Sequence, residues 1–99
     1  MRVGQAQLRR SVAQYTAQPG QNTWQYSGDA TVLQVEAQGT TSDSTLEISG
    51  GRTGAYLIIT VTGAAGSGIT VYAGKAYQLS AGQSGLFFFN GSQWQKCGT

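Results

Sequence analysis

Apolar and polar residues alternate along this chain with a period of two, in short runs that end at glycines. In the run 30–38, for example, Leu33, Val35 and Ala37 alternate with polar residues. Successive side chains of a strand point to opposite faces of a sheet, so this pattern predicts strands with one buried face. We predict strands at 23–28, 30–38, 44–49, 56–62, 69–74, 75–81, 85–91 and 92–98.

The spacing of these runs predicts an all-β fold. Seven or eight short strands at intervals of roughly eight to twelve residues are typical of a sandwich or barrel. No helical crossover fits between them, so we expect a single antiparallel β-sandwich, jelly-roll-like, over residues 21–99. The run 56–62 carries Tyr56 and Ile58 on its second face, which predicts a strand that is either buried on both sides or central in its sheet.

The C-terminal run FFFNGSQW predicts a hairpin, because Asn90-Gly91 suits a type I′ turn in which both central residues have positive φ. Three consecutive phenylalanines cannot all face one side of a strand, so at least one ring points away from the others. We expect this segment to supply core and a surface for self-association. The alternative is a sugar-binding aromatic platform. The predicted self-association residues are Phe87, Phe88, Phe89 and Trp94.

Residues 1–20 differ from the rest and are predicted to be a basic N-terminal arm or short helix, which ends at Pro19-Gly20. The segment contains no acidic residue, and its charges are three arginines, Arg2, Arg9 and Arg10. Three apolar residues have the i, i+4, i+7 spacing of a short amphipathic helix: Leu8, Val12 and Tyr15. An extended arm lying on a neighbour fits these residues equally well.

Reactive side chains are scarce, and the chain has no histidine. That removes the commonest general base and leaves Cys97 without an imidazole to activate it. Asp29 and Asp43 fall in predicted turns, whereas Glu36 and Glu47 fall at outward strand positions, where they could meet across neighbouring strands as a glycosidase pair might. We favour no catalytic residue, and expect no cofactor and no metal.

The charge and hydropathy of the chain limit its partners. A net charge of +2 is too small to argue for nucleic acid. No apolar run approaches the roughly 20 residues that span a bilayer, and none follows Met1, so we expect no membrane partner. Only 10% of the residues are charged, and such a surface suits hydrogen-bonded contacts with other proteins.

The stretch from Tyr56 to Trp94 contains GAAGSGITVYAG, YQLSAGQSG and FNGSQW in succession. In this pattern of strands and turns the chain resembles small β-sandwich modules of tailed-bacteriophage virion proteins, which occur in tail fibres, baseplates and capsid decoration proteins. The resemblance implies a virion structural protein, made in the host cytoplasm, and for decoration proteins it implies a trimer where capsomers meet.

Between these locations, a 99-residue chain that begins at Met1 with a basic leader favours a capsid decoration (cement) protein on the capsid surface. Its partner would be the major capsid protein, because arginines and amides could grip an acidic shell. The predicted capsid-contact residues are Arg2, Leu8, Arg9, Arg10 and Tyr15. The alternative is a tail-fibre or baseplate module that binds host-surface glycan.

Overall fold

The computed structural model of the chain describes residues 12–28 and 31–97, and this part of the chain is all-β, without a helix. Nine strands form two sheets that face each other around one core. The strands are β1 (Val12–Ala17), β2 (Gly20–Gln25), β3 (Val32–Ala37), β4 (Ser44–Ser49), β5 (Tyr56–Gly63), β6 (Gly68–Ala73), β7 (Lys75–Ser80), β8 (Ser84–Phe89) and β9 (Trp94–Lys96).

Both sheets are mixed, because the chain crosses from one sheet to the other after each of its first five strands. Sheet A has the order β1-β3-β5-β8-β9, and sheet B has the order β2-β4-β6-β7. As a result β1, β3 and β5 pair in parallel in sheet A, and β2, β4 and β6 pair in parallel in sheet B. This path resembles the successive turns of a flattened β-solenoid.

The prediction of antiparallel pairing is therefore wrong for the pairs among strands β1 to β6, which are parallel. Parallel neighbours need a crossover, and between the strands of the described residues there is no helix to provide one. Here a strand of the opposite sheet serves as the crossover. When one face of a sheet is exposed to solvent, buried and exposed residues alternate in the same way in parallel and in antiparallel strands. The sequence pattern therefore does not distinguish the two kinds of pairing. The later pairs, β6 with β7, β5 with β8, and β8 with β9, are antiparallel as predicted.

The inner faces of the two sheets form the core, and the predicted inward residues lie there. Fully buried side chains include Leu33, Val35, Leu46, Leu57, Ile59, Val61, Ile69 and Val71. Of the two alternatives for β5, buried on both sides or central, the structure confirms the second. Strand β5 is the central strand of sheet A, but its second face is not buried, since Tyr56 is 57% exposed and Ile58 is 38% exposed.

The described part of the predicted N-terminal arm belongs to the sandwich. Val12–Ala17 is a strand at the edge of sheet A, so these residues are not helical. Ala17 is fully buried, and Tyr15 packs against the core. Strand β1 therefore contributes to the fold instead of projecting from it. Residues 1–11, with Arg2, Leu8, Arg9 and Arg10, lie outside the described residues, as does Asp29.

Asn22 fastens the corner at which the chain passes from β1 to β2. It is 9% exposed. Its Oδ1 accepts hydrogen bonds from the Tyr15 hydroxyl (3.1 Å) and the Gln18 N–H (3.1 Å). Its Nδ2 donates to the carbonyl oxygens of Gln18 (2.8 Å), Gly20 (3.3 Å) and Thr45 (3.0 Å). One amide thus ties β1, the turn and β4 together.

The C-terminal hairpin forms as predicted, but through a different turn. A four-residue loop joins β8 to β9. The Asn90 Oδ1 accepts hydrogen bonds from the backbone N–H groups of Ser92 (2.9 Å) and Gln93 (3.0 Å). Gly91 has a φ of +107°, whereas Asn90 does not have positive φ, so the turn is not type I′. The asparagine side chain replaces the backbone bond that a two-residue turn would make.

Candidate interaction surface

A row of apolar side chains crosses the outer face of sheet A. Val12 pairs with Val32, Val32 pairs with Ile58, and Ile58 pairs with Leu86, so the four residues lie side by side on β1, β3, β5 and β8. The Cys97 N–H donates to the Leu86 carbonyl oxygen (2.8 Å), which continues the row beyond the end of β9. Residues paired across neighbouring strands project to the same face, so the row is continuous.

A shorter second row lies beside the first. Tyr56 pairs with Phe88, and their ring centroids are 6.5 Å apart. Leu86 is 40% exposed and Val12 is 53% exposed, so the first row is open to solvent along most of its length. We call these two rows the apolar face, which consists of Val12, Val32, Tyr56, Ile58, Leu86 and Phe88.

Toward the other end of the strands, sheet A is polar. Gln14 and Gln34 hydrogen-bond to each other through their side chains (3.2 Å). The Ser84 hydroxyl donates to the Thr60 hydroxyl (3.0 Å). Among the described strand positions on this outer face, Glu36 is the only charged residue. The whole face therefore consists of an apolar half and a largely uncharged polar half.

The outer face of sheet B provides an internal comparison. There the paired residues Thr23, Glu47 and Tyr72 form a row, and Tyr72 is the one large apolar side chain in it. Of the five exposed large hydrophobic residues in the described part of the chain, four belong to the apolar face and Tyr72 is the fifth. Exposed apolar groups are therefore concentrated on one side of the sandwich, and such concentration marks an interaction surface.

The structure divides the predicted self-association residues between core and surface. Phe87 is fully buried and Trp94 is 3% exposed, so both are core residues. Phe89 is partly buried and packs edge-to-face on Trp94, with 5.5 Å between the ring centroids. Phe88 alone belongs to the outer face of sheet A. The expectation that at least one of the three phenylalanines points away from the others is confirmed.

Sequence reasoning missed most of the apolar face. Ile58 was expected to be buried, and Val12 was considered only as part of a helix or arm. The signal was present in β5, where Tyr56 and Ile58 stand on the face opposite Leu57. A strand that is apolar on both faces is either covered on both sides by its own chain or open to a partner.

Trp94 is not placed to serve in the sugar-binding platform that was the alternative for this segment. The Trp94 indole N–H donates to the Gly50 carbonyl oxygen (2.7 Å), and its ring packs against Tyr26 at 5.3 Å between centroids. This ring is therefore part of the core and is not available to a ligand. On the outer face of sheet B, the exposed ring of Tyr72 borders a shallow groove of about 390 Å³ that Glu47 also lines.

Glu36 and Glu47 do not meet as the glycosidase-like pair that the sequence allowed. Glu36 lies on the outer face of sheet A and Glu47 on the outer face of sheet B, so the two carboxylates are on opposite sides of the sandwich. Asp43 lies in the turn before β4, where its Oδ1 accepts the Thr40 N–H (2.7 Å). This backbone hydrogen bond lowers the pKa of Asp43, and the Ser44 hydroxyl adds to the effect.

Residues 12–28 and 31–97 contain neither a candidate metal site nor a candidate membrane-spanning helix. These ranges contain no group of three or more His, Cys, Asp or Glu residues placed to hold a metal ion. Within the same ranges, no helix is long and apolar enough to span a membrane.

No protein-family model matches the chain, and no curated protein matches it. Among solved structures, the chain is similar to residues 132–251 of StcE from enterohemorrhagic E. coli, with a TM-score of 0.50 and 14% sequence identity. The alignment covers 80% of this chain and 90% of the StcE fragment. At this level of identity the likeness concerns the β fold alone.

Proposed function

We propose that the chain is a non-enzymatic structural protein of a tailed-bacteriophage virion, which decorates the assembled head and stabilises it. The apolar face is the observation that supports a binding role. It extends across four strands and is exposed to solvent, and such a concentration of exposed apolar side chains marks an interaction surface. The virion location rests on the resemblance of Tyr56–Trp94 to phage β-sandwich modules. A protein that binds only the assembled shell shifts the assembly equilibrium toward the shell.

In this proposal, the shell contact includes the segment before β1. Residues 1–11 contain three arginines and no acidic residue, so an acidic capsid surface would attract them. Tyr15 is a poor contact residue, because its ring packs against the core and its hydroxyl is bonded to Asn22.

The test must leave β1 intact, since removing residues 12–17 would remove a strand of the fold. The full chain and a variant that lacks residues 2–11 are incubated with separated heads and tails of virions from the strain that carries the gene, and are then cosedimented. We expect the full chain to sediment with heads and the variant to lose binding while melting normally. A variant with Arg52→Gln and Lys75→Gln controls for the loss of positive charge.

The outcome separates the proposal from its alternative. Binding to heads that does not depend on residues 2–11 would overturn the shell contact described above. Binding to tails alone would favour a tail-fibre or baseplate module. Binding to neither would contradict both.

The alternative, recognition of a host-surface glycan, is favoured by one observation. Tyr72 is 51% exposed and stands beside the groove that Glu47 lines, and an exposed ring next to hydrogen-bonding groups suits a sugar. Glycan-array binding by the purified chain, lost in Tyr72→Ala but retained in Tyr56→Ala on the other sheet, would support this alternative. No binding to any glycan, or binding that both variants retain, would count against it.

A further inference from the structure

We propose that the apolar face is the surface through which two copies of this chain pair, with the sheet A of one copy packed face to face on the sheet A of the other. The inference rests on the binding role that the proposed function gives to the apolar face, and it assigns that face to a second copy, which leaves residues 1–11 for the shell contact. Its test needs no capsid. The pairing differs from the threefold arrangement that the phage resemblance implies.

The first argument for a second copy is charge. The two rows of the apolar face contain no charged residue, so two such faces meet without repulsion and without stranding a charge away from water. A strongly charged partner would lose the solvation of its charges on this surface and receive no opposite charge in return. A partner with the same uncharged face has no such cost.

The second argument is self-complementarity. A twofold axis through the centre of the face brings apolar rows onto apolar rows, as an isologous interface requires. The neighbouring polar rows contain amides and hydroxyls, such as Gln34 and Thr60, and each of these groups can both donate and accept. Identical polar rows can therefore hydrogen-bond to each other, which rows of like charge could not do.

The third argument is size. A five-stranded sheet with strands of six residues presents a face of about 24 by 20 Å, from a strand spacing of about 4.8 Å and a rise of about 3.3 Å per residue. Two such faces, apolar and polar halves together, cover about 1,000 Å², which reaches the lower bound for a specific interface. Glu36 lies in the last row of the polar half, with Thr16 and Thr62, at the end of the face farthest from the apolar rows. Sheets pack face to face about 10 Å apart in sandwiches, so the pairing would add a sheet-on-sheet layer of a common kind.

Sedimentation equilibrium of the full chain from about 1 to 300 µM tests the pairing. We expect a monomer–dimer equilibrium for the wild type. Ile58→Lys, at the centre of the face, should weaken it by at least about 30-fold, the effect of a residue that dominates an interface. The matched control is Tyr72→Lys, which makes a similar change at an exposed residue of sheet B and should leave the dimer intact.

A second measurement uses the wild-type chain and does not depend on the folding of any variant. Cys97 is the single cysteine and lies at the end of the first row of the apolar face. Its rate of alkylation by a maleimide should fall as the protein concentration rises through the dissociation constant of the dimer. A chain that stays monomeric at 300 µM, a trimer, or a dimer that Ile58→Lys leaves unchanged would each overturn the proposal.

Discussion

Asn22 provides the sharpest test of how this fold is held together. Asn22 lies on β2, an edge strand of sheet B, and its side chain bonds to the Tyr15 hydroxyl on β1, an edge strand of sheet A. It also bonds to the Thr45 carbonyl oxygen on β4, the strand next to β2. Replacing Asn22 with alanine removes the amide, so these partners lose their hydrogen bonds to it. Because β1 is an edge strand, paired on one side to β3, this bridge is a main restraint on its position.

The magnitude follows from counting the bonds. A hydrogen bond contributes about 1 kcal/mol net, so the two bonds of Oδ1 and the two shorter ones of Nδ2 have a combined upper value of about 4 kcal/mol. Gln18 is exposed, and water can replace the amide at its N–H and carbonyl oxygen. The remaining partners predict that Asn22→Ala lowers the free energy of unfolding by about 2–3 kcal/mol. For a domain of this size the melting temperature should fall by about 10–20 °C.

The assay is urea unfolding followed by tryptophan fluorescence. Gln21→Ala, an exposed neighbour on the outer face of sheet B, should change the unfolding free energy by less than about 0.5 kcal/mol. Asn22→Asp keeps an acceptor toward Tyr15 but places an oxygen against three carbonyl oxygens, so it should be at least as destabilising as Asn22→Ala at neutral pH. A cost below about 1 kcal/mol for Asn22→Ala, or one equal to that of Gln21→Ala, would refute the reasoning.

Three further predictions concern the turns and the core. The hydrogen bonds that lower the pKa of Asp43 stabilise the fold at pH values above the unfolded-state pKa of 3.8, and this contribution disappears as the pH falls through the lower folded pKa. Asp43→Asn should remove that part of the acid dependence of stability, in unfolding curves measured between about pH 5 and 2. Gly51→Ala should destabilise the chain by about 1–3 kcal/mol, because a Cβ there would overlap the Phe89 ring, and a Phe89→Leu background should reduce the cost in a double-mutant cycle. Trp94→Phe should cost about 1–3 kcal/mol in urea unfolding by leaving the Gly50 carbonyl oxygen without its donor; a cost under about 0.5 kcal/mol would show that bond to be dispensable.

Local alternation was sufficient to locate most of the strands. The run 30–38 contains β3, and 44–49 coincides with β4, because their apolar residues recur at every second position and bury one face. Strand β1 was missed for a physical reason. Its inward residues are Ala13, Tyr15 and Ala17, and two alanines give too little contrast with their polar neighbours to reveal the period.

Asn22 was missed for a different reason. An asparagine between glutamine and threonine looks like ordinary surface polarity in the sequence. Its role depends on Thr45, which is 23 residues away along the chain and becomes its neighbour only when β2 pairs with β4. A hydrogen-bonding hub between distant segments has no local signature.

The apolar face follows from the same alternating path. Val12, Val32 and Ile58 are neighbours in sheet A, but in the sequence a strand of sheet B lies between each of them and the next. A short stretch of sequence therefore never shows two of these residues together. Parallel pairing in this register places all three in one row and leaves the polar positions of the same strands in other rows. A slip of one residue in the pairing of β1 would bring Ala13 outward and turn Val12 toward the core, which would break the row. The face therefore depends on tertiary pairing, and Ile58→Lys tests the pairing of copies on a surface that exists only in this register.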